Sequence, residues 1–152
     1  MIINTPIGNF KIKFDDDFIY KIIFEKETNL IENKNYRQNF LSEEIKKQFD
    51  EYFSGKRMTF DLPYKLEVSS FMNACYSELL KVQYGSTTTY GNIATTLGKP
   101  NAARAVGNTM NKNPLPIIIP CHRVIGVDGS LVGYRGGLEI KQWLLEFEKN
   151  NK

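Results

Sequence analysis

The chain has 152 residues, of which 41% are hydrophobic and 24% are charged, and its formal net charge is +3. This composition is typical of a soluble globular protein with a core of ordinary size. The apolar runs are no longer than five residues, which excludes a transmembrane helix, and the N-terminal stretch lacks the pattern of a secretion signal. The two cysteines, Cys75 and Cys121, are therefore expected to be reduced, in a cytoplasmic protein.

The charged side chains are unevenly distributed along the chain. Residues 1–67 carry eleven basic and twelve acidic side chains, whereas residues 68–152 carry nine and five. A weakly basic second half is compatible with a nucleic-acid partner but does not require one.

Residues 10–24 have the pattern of a β-hairpin. Phe10, Ile12 and Phe14 alternate with lysines, and the segment FIYKIIF follows after three aspartates. Because adjacent side chains in a turn point apart, the aspartates at 15–17 are interpreted as a solvated turn and not as a metal site.

A helix is predicted to follow the polar, poorly patterned residues 26–41. Ser42 is expected to cap it and Gly55 to end it. Its expected buried stripe consists of Ile45, Phe49, Tyr52 and Phe53. The next segment, KRMTFDLPYKLE, is interpreted as a strand or a linker into a second lobe.

From Val68 onward the periodicity is helical. The apolar residues that recur every three or four positions are Val68, Phe71, Cys75, Leu79 and Val82. Cys75 lies on this stripe and is therefore expected to be a core residue and not a reactive thiol. The triplet Tyr-Gly-Ser at 84–86 is predicted to end the helix.

Two short helices are predicted next, one from Tyr90 to Leu97 with Thr89 as its cap, and one over residues 102–110. The glycine-containing turn between them matches a helix-turn-helix, a pattern that many helical hairpins share.

Prolines at 114, 116 and 120 then exclude a regular helix. Residues 129–137, GSLVGYRGG, form a glycine-rich loop. A final amphipathic helix is predicted over residues 138–152. Its expected buried stripe is Ile140, Trp143, Leu144 and Phe147.

The only histidine, His122, directly follows Cys121. A cysteine attacks as its thiolate, and a histidine can remove the thiol proton, directly or through one water, if a carboxylate orients it. By sequence alone, Glu139, Glu146 and Glu148 are candidates for that carboxylate. A structural Cys-His pair in a tight turn explains the dipeptide equally well, whereas a zinc site would need more ligands than the chain offers.

The wider string around Cys121 resembles the O6-alkylguanine-DNA alkyltransferases. The resemblance rests on PIIIPCHRVIG, preceded by AARAVGNTMNKNP and followed by GYRGGLEIKQWLL, and it runs from about Val68 to Glu148. The first 65 residues match only in length and in the order of hairpin and helix. Members of this family transfer an alkyl group from guanine O6 in DNA to their own cysteine as a thioether. The resemblance therefore implies one reaction per molecule and no cofactor.

The resemblance also implies roles for individual residues. Cys121 takes the position of the alkyl acceptor and His122 that of the water-mediated base. Glu148 matches the carboxylate that orients the imidazole, and Asn113 matches the residue that braces the turn before the acceptor. The implied pocket residues are Met110, Val124, Tyr134, Arg135 and Gly136.

A second group of residues is implied in DNA binding. A base inside a duplex must be flipped out to reach a buried thiol. Tyr90 matches the tyrosine that helps to rotate the target phosphate and lines the base pocket, and Arg104 matches the arginine that fills the gap left by the base. Small residues let this helix approach the minor groove closely, or pack tightly on its neighbour: Ala102, Ala103, Ala105 and Gly107.

Two features of the sequence depart from what the resemblance leads us to expect. Arg135 stands where many members have a small residue, so it is expected to contact phosphate or to reshape the pocket. The first 66 residues contain no cysteine or histidine, so a structural zinc found in some relatives cannot be built there. The inactive alkyltransferase-like proteins carry a different residue at the acceptor position, so the presence of Cys121 argues against that class.

The expected fold class is therefore α+β. Residues 1–66 should form a small antiparallel sheet with a helix, RNase H-like, and residues 67–152 a mainly helical, winged-helix-like lobe with a helix-turn-helix. The expected partner of a monomer is double-stranded DNA with O6-alkylguanine, and O4-alkylthymine is a second candidate. Neither a metal nor a membrane is expected to take part. The alternatives are a non-catalytic damage-binding module and a cysteine hydrolase with repeated turnover, which leaves the helix-turn-helix unexplained.

Overall fold

The computed structural model describes residues 1–27 and 36–152, so half of the polar stretch at 26–41 lies outside the described residues. The chain divides into two compact units, Met1–Leu66 and Glu67–Lys152. A three-stranded antiparallel sheet, a pair of short parallel strands and helices account for the regular structure, which confirms the predicted α+β class.

The first unit is built on a sheet with the strand order β1-β2-β3. Its strands are β1 Ile2–Thr5, β2 Gly8–Phe14 and β3 Ile19–Phe24. The hairpin between β2 and β3 is confirmed, and β1 adds a strand that the sequence pattern did not reveal. The Asp15 carboxylate accepts the backbone N–H groups of Asp17 and Phe18, both at 2.8 Å, so the aspartate turn closes on itself.

Helix α1, Phe40–Phe53, begins three residues before the predicted position. Asn39 is the N-cap, and its side chain accepts the backbone N–H of Ser42 at 2.8 Å. Ser42 in turn accepts the backbone N–H of Asn39 at 2.9 Å, which completes a capping box. The prediction of Ser42 as the cap was wrong. Serine can serve either as the N-cap or as the third residue of a capping box, so the sequence alone did not distinguish the two positions. Gly55 follows the helix end with φ 78°, as expected.

The core of the first unit lies between the sheet and α1. Phe10 of β2 packs edge-on against Phe24 at a centroid distance of 5.1 Å and contacts Phe49 at 6.3 Å. The buried Gln48 fixes the linker, because its amide nitrogen donates to the Asp61 carbonyl at 3.0 Å and its amide oxygen accepts the Asp61 N–H at 2.8 Å. The segment after α1 is therefore a clamped linker.

The second unit contains four helices and two short parallel strands. They are α2 Ser70–Leu79, β4 Thr88–Thr89, α3 Tyr90–Thr96, α4 Ala103–Asn111, β5 Val124–Ile125 and α5 Leu138–Asn151. Helix α2 ends well before the predicted stop at 84–86. The two short helices are confirmed, and the Thr89 side chain caps α3 by accepting the Asn92 N–H at 3.0 Å.

The buried stripe of α5 differs from the predicted one. Ile140 and Leu144 are buried as expected, whereas Trp143 and Phe147 are half-buried and stack on each other with ring centroids 4.8 Å apart. The stripe instead carries two ionisable residues, Lys141 and Glu148. These two side chains bring α5 into the site described below. Within the described residues, no helix has the length and apolar character needed to cross a membrane.

Gln48→Met should lower the free energy of unfolding by about 1–2 kcal/mol, because methionine fills a similar volume but makes neither hydrogen bond to Asp61. Urea unfolding of the full chain measures this difference. Lys46→Met, an exposed change in the same helix, is the control and should stay within about 0.5 kcal/mol of wild type. Equal losses of unfolding free energy in the two variants would contradict a stabilising role for the Gln48 bonds to Asp61.

Candidate active site

Cys121 lies at the start of a 3₁₀ turn, Cys121–Arg123, and is buried. The turn is held from behind by Asn113, which is itself buried. The Asn113 amide nitrogen donates to the Ile119 carbonyl at 2.8 Å, and its amide oxygen accepts the Leu115 N–H at 2.9 Å. One side chain thus closes the proline-rich segment into a compact loop that presents the thiol.

This loop stores backbone strain. Ile117 has φ 76°, which is unfavourable for a β-branched residue. Such a conformation persists only where the surrounding structure fixes it. Here the bracing bonds of Asn113 and the bond from the Ile119 N–H to the Leu115 carbonyl, 2.8 Å, enclose the strained residue.

The imidazole of His122 meets the carboxylate of Glu148 from α5. His122 Nε2 lies 3.0 Å from Glu148 Oε1, and both side chains are almost completely buried. The carboxylate faces Nε2, which favours a proton on that nitrogen and leaves Nδ1 as the basic nitrogen of the ring. Among the described residues, no protein group hydrogen-bonds to this buried Nδ1. Of the three candidate carboxylates in α5, the structure places Glu148 against the imidazole.

Arg123 completes the cluster, and the sequence interpretation missed it. Its Nε and Nη2 atoms donate to the two oxygens of Glu148, both at 2.8 Å, in a bidentate pair. Its Nη1 atom donates to the Val82 carbonyl at 2.9 Å, and the guanidinium lies 5.8 Å from the centre of the Tyr84 ring. The signal available in the sequence was the position of this arginine, directly after the Cys-His pair.

The charges in this cluster determine its protonation. Burial alone would raise the pKa of Glu148, but the hydrogen bonds from Arg123 and the contact with His122 hold it well below its usual range. Burial lowers the pKa of His122, although Glu148 acts in the opposite direction. At neutral pH the cluster therefore holds a carboxylate, a guanidinium and a neutral imidazole.

The thiol of Cys121 is protonated in this environment. Burial raises its pKa, and the hydrogen bond from Asn113 and the charges of Lys141 and Arg135 offset this only in part. A base must therefore take the proton when the sulfur reacts. The neutral His122 is suited to that step.

Tyr90 lies at the first position of α3 and is half-buried. Its hydroxyl donates to the Val132 carbonyl of the glycine-rich loop at 3.0 Å. Burial raises its pKa, and a thiolate at Cys121 would raise it further. Lys141, a second residue that the sequence interpretation missed, reaches the same carbonyl at 2.8 Å.

The remaining predicted pocket residues differ in burial. Met110, Val124 and Gly136 are buried, whereas Tyr134 and Arg135 are half-buried. Val124 pairs with Thr88 where β5 meets β4, which ties the end of the cysteine turn to the start of α3. The positive charge of Arg135 lowers the pKa of the Cys121 thiol, against the larger effect of burial.

The residues predicted to contact DNA lie on α3 and α4. Arg104 is exposed on the first turn of α4, next to the half-buried Ala102 and Ala103. A Cβ atom added at Gly107 would lie 3.7 Å from the Tyr90 ring, so this glycine marks the packing of α4 on α3. Within the described part of the chain, no group of three or more potential ligands is placed to hold a metal ion.

Residues 70–150 match the family described as 6-O-methylguanine DNA methyltransferase, DNA binding domain, and residues 1–66 match the ribonuclease-like domain of 6-O-methylguanine DNA methyltransferase. The chain belongs to the 6-O-methylguanine DNA methyltransferase family. This confirms the resemblance drawn from the string around Cys121, and the ribonuclease-like match agrees with the fold expected for the first lobe.

Individual members of this family are similar over almost the whole chain. A methylated-DNA–protein-cysteine methyltransferase of Methanosarcina barkeri is 42% identical over 99% of this chain and 96% of its own length. The O6-methylguanine methyltransferase structure from Mycobacterium tuberculosis superimposes with a TM-score of 0.87, at 35% identity, over 99% of this chain and 92% of its own. A structure of the Mycobacterium tuberculosis protein in complex with DNA gives 0.86 at the same identity and coverage.

The Glu148 cluster predicts how stability depends on pH. A carboxylate with a depressed pKa contributes stability that is present above its unfolded pKa, about 4.5, and is lost as the pH falls towards the native value. The free energy of unfolding should therefore decline below about pH 4.5 in wild type. Glu148→Gln should be less stable at neutral pH and should show a shallower decline.

Urea unfolding at several pH values between neutral and acidic measures both effects. Glu146→Gln, an exposed change two residues earlier in α5, is the matched control and should follow the wild-type curve. An acid decline of wild-type steepness in Glu148→Gln would show that another carboxylate is responsible.

Proposed function

We propose that this chain repairs DNA by transferring a methyl or larger alkyl group from guanine O6 to the sulfur of Cys121. The observation that carries this proposal is the contact of the buried His122 ring with Glu148, closed by the bidentate Arg123, directly after the buried Cys121 in the chain. A sulfur acceptor beside an oriented, neutral imidazole provides the chemistry that an alkyl transfer requires. The family membership and the DNA complex of the similar Mycobacterium tuberculosis protein support the substrate class.

The proposed reaction is one displacement at carbon. His122 Nδ1 takes the Cys121 proton, directly or through one water, and the sulfur attacks the alkyl carbon. The S–C bond forms as the bond from carbon to guanine O6 breaks, and the leaving guanine takes up a proton. The product is a neutral thioether that no group in the site can hydrolyse, so each molecule reacts once. No electron acceptor and no cofactor is needed.

The damaged base must reach the thiol, so we propose that it is flipped out of the duplex. Flipping a base costs a few kcal/mol. Arg104 is exposed on α4 and available to occupy the gap, while Tyr90 lies between α4 and the glycine-rich loop. The small Ala102, Ala103 and Gly107 are suited to a close approach in the minor groove. A monomer suffices for this arrangement, and O4-alkylthymine is a further candidate substrate.

A non-catalytic damage-binding module is the main alternative. Such a module would need Tyr90 and Arg104 but no thiol, and no buried imidazole and carboxylate beside it. Burying the Glu148 charge costs several kcal/mol unless it is fully paired. The presence of the complete cluster behind Cys121 therefore favours the transfer reaction.

The first experiment measures the intact mass of the protein after incubation with duplex DNA that carries one O6-methylguanine. We expect one added methylene per molecule, located by peptide mapping at Cys121. Cys121→Ser should bind the DNA and gain nothing. Cys75→Ala removes the other buried cysteine and is the matched control, so it should react like wild type.

Two outcomes would overturn the proposal. An unchanged wild-type mass with retained binding to the lesion would indicate the damage-binding module. If the mass gain persisted in Cys121→Ser but was lost in Cys75→Ala, Cys75 and not Cys121 would be the alkyl acceptor.

Arg104→Ala should slow the reaction with duplex DNA by about ten-fold or more, while the reaction with a free O6-alkylguanine base stays close to wild type. The reason is that only a duplex has a base stack in which the flipped base leaves a gap for Arg104 to fill. Single-turnover rates on both substrates measure this ratio. Lys112→Ala removes an exposed cation at the other end of α4 and is the control for general loss of charge. Equal losses on both substrates would contradict the proposed insertion.

A further inference from the structure

Tyr76 joins α2 to the C-terminal end of α4. Its hydroxyl donates to the backbone carbonyl of Thr109 at 2.8 Å, and both residues are almost completely buried. This carbonyl is one of the last four of α4, which lack the ordinary helical partner four residues further on. It also accepts the N–H of Lys112 at 3.1 Å. Tyr76 therefore supplies a second hydrogen bond, and that bond comes from a neighbouring helix.

The other end of α4 carries Arg104 and is anchored less firmly. The N-cap residue of α4 is Ala102, whose methyl group cannot accept the N–H groups of the first turn. The preceding helix α3, by contrast, is capped by the side chain of Thr89. The direction in which Arg104 points must therefore be set from the middle and the C-terminal end of α4.

Two contacts with different properties hold α4 at these places. Gly107 packs on α3, since a Cβ atom added there would lie 3.7 Å from the Tyr90 ring. Such packing limits how closely the helices approach, but it has no preferred direction. The hydrogen bond from Tyr76 to Thr109 does have one, because donor, proton and acceptor must lie nearly in line. This bond is therefore the contact that resists rotation of α4 about its own axis.

A small rotation of α4 would displace Arg104 considerably. Arg104 precedes Thr109 by five residues, which places it about 7.5 Å along the helix axis and about 140° around it, on the exposed side. Side chains reach about 5–6 Å from the axis, so a rotation of about 20° would move the Arg104 side chain by about 2 Å. A displacement of about 1 Å in a positioned group can cost about a hundred-fold in rate.

We propose that Tyr76 is a positioning residue for the reaction with duplex DNA: its bond to the Thr109 carbonyl fixes the rotation of α4 and thereby directs Arg104 into the duplex. This inference rests on the proposed function for its substrate, but the contact between α2 and α4 does not. Burial raises the pKa of Tyr76, and a thiolate at Cys121 would raise it further. The hydroxyl therefore keeps its proton and remains a donor while the sulfur reacts.

The experiment is a double-mutant cycle of Tyr76→Phe and Arg104→Ala in the full chain, with single-turnover transfer from duplex O6-methylguanine and from a free O6-alkylguanine base. Tyr76→Phe removes one hydrogen bond and keeps the ring. It should slow the duplex reaction by about three-fold to ten-fold and leave the free-base reaction within about two-fold of wild type. In the Arg104→Ala background it should cost less than about two-fold more, because the side chain that it positions is absent. Ser77→Ala removes an exposed hydroxyl that bonds within α2 itself, so this matched control should react like wild type.

Several results would overturn the inference. A wild-type duplex rate in Tyr76→Phe would do so, as would an equal loss on the free base or rate losses that multiply in full in the double variant. If Tyr76→Phe does not fold, NMR of wild-type protein still tests the contact. The Tyr76 hydroxyl proton should then exchange slowly with water in the free protein and in the complex with duplex DNA, and fast exchange in the complex would reject the proposal. Failure of the proposed function appears differently, as no transfer in wild type while this proton stays protected.

Discussion

The second unit depends on one buried carboxylate. Glu148 is held by both arms of the Arg123 guanidinium and contacts the His122 ring, so a single side chain of α5 fixes the cysteine turn in two places. Breaking a buried ion pair by removing one partner typically costs about 3–5 kcal/mol, whereas the complete pair adds little. The cluster therefore acts as a geometric constraint that determines the orientation of the imidazole and the attachment of the last helix.

The other constraints on the site operate around this one. Asn113 closes the proline-rich loop in front of Cys121, and the strain at Ile117 is contained within that closure. The short pairing of β4 with β5 links the same turn to α3 and thus to Tyr90. Each contact is a backbone bond or a bond to the backbone. The thiol is therefore placed by main-chain geometry, while the side chains around it set its protonation.

Sequence patterns predicted the parts of this structure that arise from periodicity and from a specific string. The hairpin, the helices, the contact of His122 with Glu148 and the bracing bonds of Asn113 belong to this group. The start of α1 was misplaced because Asn39 and Ser42 cap each other, and a reciprocal pair gives two equally good signals three residues apart. Arg123 and Lys141 were missed because a charged residue in an amphipathic pattern is ordinarily exposed. Only the packing of α5 shows that Lys141 also faces inwards, beside the Glu148 that the resemblance had placed at the imidazole.

The burial of Cys121 affects how easily the unreacted thiol is oxidised. Oxidants such as hydrogen peroxide attack thiolates, and susceptibility follows thiolate character and exposure. A sulfur that is buried and kept protonated by its surroundings is poorly susceptible on both counts. Under the proposed function each molecule reacts once, so an accidental oxidation of Cys121 would remove that molecule from repair. In the proposed reaction, the same desolvation that makes His122 necessary as a base also protects the unreacted thiol.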